Sequence, residues 1–188
     1  MQAATVLFGT LGFDATTTLE IANVAAVTEP LLYYYWNGKD ELFTHCLELA
    51  FNQYFSRLDE LPKHTPTEFQ KIANIIDLHF QIVDDLPEQI RLIVNSCPSK
   101  LNDPNEICLK NIKKARQLAI DYFCWSLKAG IKNGEFRKVP VSATANMLVA
   151  LLNGLLRQKV YKFEQTDGVK DATIDFCKGS LTAGSTIQ

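Results

Sequence analysis

The chain has 188 residues, 47% hydrophobic and 21% charged, with 19 basic against 21 acidic side chains and a net charge of −2. That length buries one sizeable core or two small ones, and the charge balance excludes a global attraction to nucleic acid or an acidic membrane; any such attraction must be local. The five cysteines (Cys46, Cys97, Cys108, Cys124 and Cys177) show no C-x-x-C spacing, which fits a reducing cytosol better than a disulfide framework or a zinc site. The longest apolar run, 147–152, falls far short of the ~20 residues a membrane helix needs. No signal peptide opens the chain, so a cytoplasmic protein with no membrane partner is expected.

Residues 13–42, FDATTTLEIANVAAVTEPLLYYYWNGKDEL, read as a short helix, a tight turn and a second short helix, the pattern of a helix-turn-helix. Thr17 and Glu20 form a Thr-x-x-Glu capping box. Ile21, Ala22 and Ala25 then give a narrow apolar stripe, with Ala22 small where two helices cross. Ala26, Val27 and Thr28 make the turn, Val27 plugging the corner and Thr28 capping the next helix. Pro30 sits in the first turn, where an N–H has no intrahelical acceptor. Leu32 and Trp36, four apart, share the inward face, so Leu31, Tyr34 and Tyr35 point outward. An outward Leu-Tyr-Tyr face is unfavourable in water unless covered. DNA covers such a face through hydroxyls on phosphates and apolar atoms on thymine methyls. Lys39 stands at the start of the following helix, where a cation is disfavoured unless an anion such as phosphate joins it.

The stretch resembles the DNA-binding domain of TetR-family transcriptional regulators. The residues at the family's spacings are Ala4, Leu7, Phe8, Gly12, Phe13, Thr16, Thr17, Ile21, Ala22, Ala25, Val27, Thr28, Leu32, Tyr33, Tyr35, Trp36, Lys39 and Leu42. The resemblance implies that Thr17 or Thr18, Thr28, Tyr33, Tyr35 and Lys39 hold phosphates, while Glu29, Pro30, Leu31 and Tyr34 face bases. It further implies a dimeric repressor released from a palindromic operator by a small molecule. Three features depart from the family pattern. Ala26 replaces the turn glycine, which asks a non-glycine residue for a left-handed backbone. Glu29 and Leu31 stand where basic or hydroxyl residues are usual. Residues 1–40 carry one basic side chain, Lys39, against Asp14, Glu20, Glu29 and Asp40, although DNA affinity rests heavily on lysine and arginine. The family's first helix begins well before the position of Ala4, so a basic arm is expected ahead of Met1. The acidic head also fits a second reading, a helical small-molecule-binding or scaffold protein that keeps the fold without touching DNA.

Downstream, apolar residues recur at helical period between short polar or proline-bearing breaks. Helices are expected over residues 40–61, over 67–85 after a second capping box at Thr67 and Gln70, and over 87–93. Longer ones follow at 105–133, closed by Asn133-Gly134, at 142–163 and at 169–181, with a frayed tail from Thr182. Strand signals are nearly absent. The expected fold is all-α with about nine helices: a helix-turn-helix domain at 1–45 and a helical bundle for ligand binding and dimerisation at 46–188. The helix at 142–163 is apolar almost all round. Following the family, it is expected to form a dimer interface with 169–181, where Ala172, Phe176 and Cys177 add area.

The bundle is rich in aromatics, and a mostly apolar cavity with a few polar anchors is what small-ligand sites look like. The residues expected to line it are Phe51, Phe55, His79, Phe80, Arg91, Asn95, Tyr122 and Trp125; an aromatic stripe that is simply core is the competing reading. No catalytic set is visible. His45, His64 and His79 lack metal-ligand spacing, no phosphate-binding or nucleophile motif is present, and Asp84, Asp85 and Glu88 read as a solvated loop face. Cys97 beside Pro98 reads as a buried structural thiol rather than a reactive one. No cofactor, metal or enzymatic activity is expected.

Overall fold

The computed structural model describes residues 1–96, 106–162 and 168–182, the side chains of 96 and 106–108 apart. Cys97, the loop at 98–104, residue 163 and the tail after Thr182 lie outside the described residues. Nine helices account for most of what is described: α1 (Gln2–Leu11), α2 (Thr18–Val24), α3 (Glu29–Tyr35), α4 (Lys39–Asp59), α5 (Glu68–Asp85), α6 (Pro87–Ser96), α7 (Glu106–Lys132), α8 (Val141–Val160) and α9 (Val169–Leu181). The only β pairing among the described residues is an isolated bridge between Phe136 and Thr182. None of these helices is long and apolar enough to cross a membrane.

The chain forms two compact units, Met1–Ser56 with Asp85–Lys113 and Arg57–Asp84 with Lys114–Gln188. In the first, Phe8, Phe13 and Phe43 meet with ring centroids 4.9 to 6.0 Å apart, an aromatic plug beneath α1–α4. Helix α6 packs on α1 at Gly9, where an added Cβ would meet the Leu92 backbone at 3.2 Å. Asn95 seals the crossing by donating its amide to the Gly9 carbonyl at 2.7 Å.

The second unit has its own core, in which Ile72, Ile75, Ile76, Phe123, Leu127, Ala145 and Leu152 are all but inaccessible. Each large side chain buried this way contributes about 1.5–3 kcal/mol. Helix α5 starts differently from the expected reciprocal box. Thr67 Oγ1 accepts the Gln70 N–H at 3.1 Å, but the Gln70 side chain turns to Asn74. The carboxylate of Glu135 instead takes the Glu68 and Phe69 N–H groups, both at 2.8 Å. A carboxylate from a distant loop outcompetes a local glutamine because it is charged and satisfies two first-turn donors at once. Cys177, expected at a dimer surface, points inward and is 2% exposed.

His79 is fully buried in this unit. Its Nδ1 lies 2.7 Å from the Ile75 carbonyl, and burial holds its pKa below the ordinary value, the hydrogen bond to Ile75 opposing in part. A histidine whose folded pKa is depressed contributes stability above its unfolded value, about 6.5. That contribution is lost as pH falls through 6.5 toward the folded value. The thermal midpoint is therefore expected to fall on acidification through this window, and His79→Leu to flatten the dependence. An unchanged slope in that variant would place the acid-sensitive group elsewhere.

Candidate nucleic-acid interface

Thr17 caps α2 as a full capping box: its hydroxyl accepts the Glu20 N–H at 3.1 Å and the Glu20 carboxylate accepts the Thr17 N–H at 2.9 Å. These bonds hold the Glu20 pKa below the usual carboxylate value, the backbone hydrogen bond first. Ile21 and Ala22 turn inward, while Ala25, at the C-cap, is exposed. Ala26 adopts φ 54°, the left-handed conformation that a glycine would take more easily. Thr28 occupies the N-cap of α3, but its side chain makes no capping hydrogen bond. Val27 fills the corner only in part and stays 36% exposed.

Helix α3 presents the face that its spacing predicts. Leu32 is buried, whereas Leu31 is 41% exposed, Tyr35 63% and Tyr34 80%. Tyr33 is also exposed, at 53%. Tyr34 and Tyr35 meet edge to face at 5.1 Å, and Tyr35 tilts against Trp36 at 5.7 Å, so the aromatic surface is pre-ordered.

Two anchors tie the reading head together that spacing alone does not show. The Lys39 ammonium donates to the carbonyls of Phe13 at 2.9 Å and Thr16 at 3.0 Å, and lies 4.3 Å from the Phe13 ring centroid. The unfavourable cation at the start of α4 is thus compensated within the protein, with one of its three donors left over. The second anchor joins α2 to α3. Thr18 Oγ1 donates to Glu29 Oε1 at 2.6 Å and lies 3.3 Å from the Tyr33 hydroxyl. Three residues assigned to DNA from the sequence therefore also hold one another.

The residues expected to line a pocket are divided between the units. Phe51 and Phe55 are core residues of the first, stacked at 5.9 Å, and Asn95 serves the α1–α6 crossing; Arg91, in the same unit, is partly exposed. In the second unit, Phe80 is partly buried and Lys159 donates to its carbonyl. Trp125 is 47% exposed and stacks 3.7 Å from the ammonium of Lys71, which itself pairs with Glu68 at 2.8 Å. A half-open cavity of about 250 Å³ is lined by Leu58, Asp59, Leu61, Lys63, Leu118 and Tyr122. The buried Tyr122 hydroxyl has no hydrogen-bond partner among the described residues, and burial followed by the nearby Glu68 charge pushes its pKa up to about 12. Tyr122 is the one residue of the expected set that lines this cavity. Among the described residues, no group of histidine, cysteine and carboxylate side chains is placed to hold a metal.

An all-helical chain whose capped α2 supports an exposed aromatic α3 is a helix-turn-helix protein. Residues 1–46 match the family model of bacterial regulatory proteins of the tetR family. The chain is 22% identical to the uncharacterized HTH-type transcriptional regulator YfiR of Bacillus subtilis, over 88% of this chain and 80% of that one. Its fold is similar to the ketosteroid transcriptional regulator KstR2 of Mycobacterium tuberculosis, with TM-score 0.75 and 18% identity over 97% of this chain and 93% of that one. It is similar also to the transcriptional regulator FadR of Bacillus subtilis in complex with stearoyl-CoA, with TM-score 0.70, 18% identity and 93% of each chain covered. Residues 1–46 are thus a tetR-family domain, and the chain as a whole shares the fold of these regulators.

Proposed function

We propose that this protein is a cytoplasmic transcriptional repressor that binds a palindromic operator as a homodimer and leaves it when a small molecule binds the second unit. The exposed Leu31-Tyr34-Tyr35 face of α3 carries this reading: aromatic and aliphatic side chains held in water by a capped helix-turn-helix suit a major groove. KstR2, similar in fold, is named a transcriptional repressor.

Dimerisation through α8 and α9 is supported by what they leave outside. Met147 is 56% exposed and Phe176 65%, and an added Cβ at Gly154 or Gly179 meets nothing within 4 Å. A twofold dimer of helix-turn-helix chains reads two half-sites one helical turn, about 34 Å, apart. The cavity beside Tyr122 supports an effector with a small, largely apolar body and an oxygen that accepts the phenol hydrogen. Its action would be a population shift, the effector favouring one of two states of the chain. Helices α4 and α7 each run from one unit into the other and are covalent routes between them.

The test is fluorescence anisotropy of the full-length protein on DNA flanking its own gene across a salt series. Sequence-specific binding by wild type, weakened about tenfold or more in Tyr34→Ala with an unchanged thermal midpoint, is the expected result. The acidic head, with Lys39 as the lone basic residue through position 46, favours a second reading, a ligand-binding or scaffold protein that keeps the fold. A folded dimer with no specific binding would establish that reading instead.

A further inference from the structure

We propose that Glu29 is the specificity-determining residue of the reading head, selecting a cytosine at one position of each half-site; this rests on the operator-binding reading above. Glu29 is the first residue of α3, and N-terminal residues of the second helix in a helix-turn-helix reach base edges. Its carboxylate is fixed in place. Oε1 accepts the Thr18 hydroxyl at 2.6 Å, and Thr18 in turn contacts Tyr33, one turn further along α3, at 3.3 Å. Glu29 is half-buried against this pair, while Tyr34 and Leu31 flank it in the open. Oε2 has no hydrogen-bond partner among the described residues.

A carboxylate only accepts hydrogen bonds. On DNA it is repelled by phosphates unless a cation or a donor meets it, and among the described residues no cation pairs with it. Up to residue 46 the lone basic side chain is Lys39 against Asp14, Glu20, Glu29, Asp40 and Glu41, and Lys39 has two donors committed to the Phe13 and Thr16 carbonyls. The compensation must come from a base edge. The major groove offers two amino donors, cytosine N4 and adenine N6. Adenine sets the N7 acceptor beside its amino group, which repels the second carboxylate oxygen. Cytosine sets a C–H there, so it fits. On DNA without cytosine at that position the charge stays uncompensated. Glu29 thus lowers affinity everywhere except at the matching site.

The experiment selects binding sites for the full chain from a pool of random-sequence DNA duplexes. Affinities of wild type, Glu29→Gln and Thr18→Val are then compared on the selected duplex, on single base-pair variants of it and on an unrelated duplex. Glutamine keeps the shape and can accept from Thr18 through its carbonyl, so its fold is retained. Wild type should require a C·G pair at one position of each half-site, losing about tenfold when it is changed. Glu29→Gln should lose that preference and bind the unrelated duplex several-fold more tightly. Thr18→Val should blunt the same preference, because the carboxylate is no longer aimed. A Glu29→Gln protein that keeps every wild-type base preference overturns the assignment, and with Tyr34→Ala still weakening specific binding it does so without harming the operator reading. A wild-type protein that selects no sequence overturns both.

Discussion

Charging the outer surface of α8 and α9 with Met147→Glu and Phe176→Glu is expected to yield a folded monomer whose operator affinity is lower by about a hundredfold or more. Both side chains are more than half exposed, so neither substitution removes core packing, and the thermal midpoint of the isolated chain should barely move. What the charges would prevent is burial of that surface against a second copy, since an unpaired carboxylate is strongly disfavoured in a desolvated interface. The affinity loss then follows from geometry. Two linked reading heads make the second half-site encounter intramolecular, and a monomer forfeits that gain. Sedimentation equilibrium and anisotropy on the same samples check both halves. A double variant that remains dimeric would move the interface to another surface.

Gly130→Ala is expected to destabilise the protein by roughly 3 kcal/mol, at the upper end for overpacking a core. The new Cβ would lie 2.2 Å from a ring carbon of Phe136. That ring cannot step aside easily: it is 3% exposed, and the Phe136 N–H donates to the Gly130 carbonyl at 2.9 Å. The neighbouring Arg137 N–H is bonded to the Leu181 carbonyl at 2.9 Å, which pins the loop to the end of α9. Thermal or urea unfolding measures the loss. Combining Gly130→Ala with Phe136→Leu should cost less than the sum of the two single changes, because the smaller side chain relieves the clash. Gly154→Ala is the control within a helix. Its added methyl meets nothing within 4 Å, so the isolated chain gains up to about 1 kcal/mol of helix propensity.

The interface and the fold were legible to different depths. The Thr17–Glu20 box, the left-handed turn at Ala26 and the exposure of Leu31, Tyr34 and Tyr35 all follow from residues within one or two turns of each other. Local spacing decides such features, so a sequence displays them. Helix ends were less legible. Helix α4 stops at Asp59 rather than 61, and α6 continues to Ser96 rather than 93, because ends fray and compete with turns on small energy differences. The anchoring of Lys39 on Phe13 and Thr16 and the latch from Thr18 to Glu29 and Tyr33 join residues 11 to 26 apart, and no local pattern signals them.

By itself the sequence determined an all-helical chain, where its helices fall and the character of its reading head, because caps, turns and 3.6-residue periodicity are properties of neighbours. Tertiary structure decided which polar groups are already committed. It closed α5 with Glu135 in place of Gln70, spent Asn95 on the α1–α6 crossing, turned Cys177 inward and left Trp125 under Lys71 at the surface. Each is a competition between a nearby partner and a distant one. Distant partners win when they bring charge or two acceptors to donors that folding would otherwise strand without water.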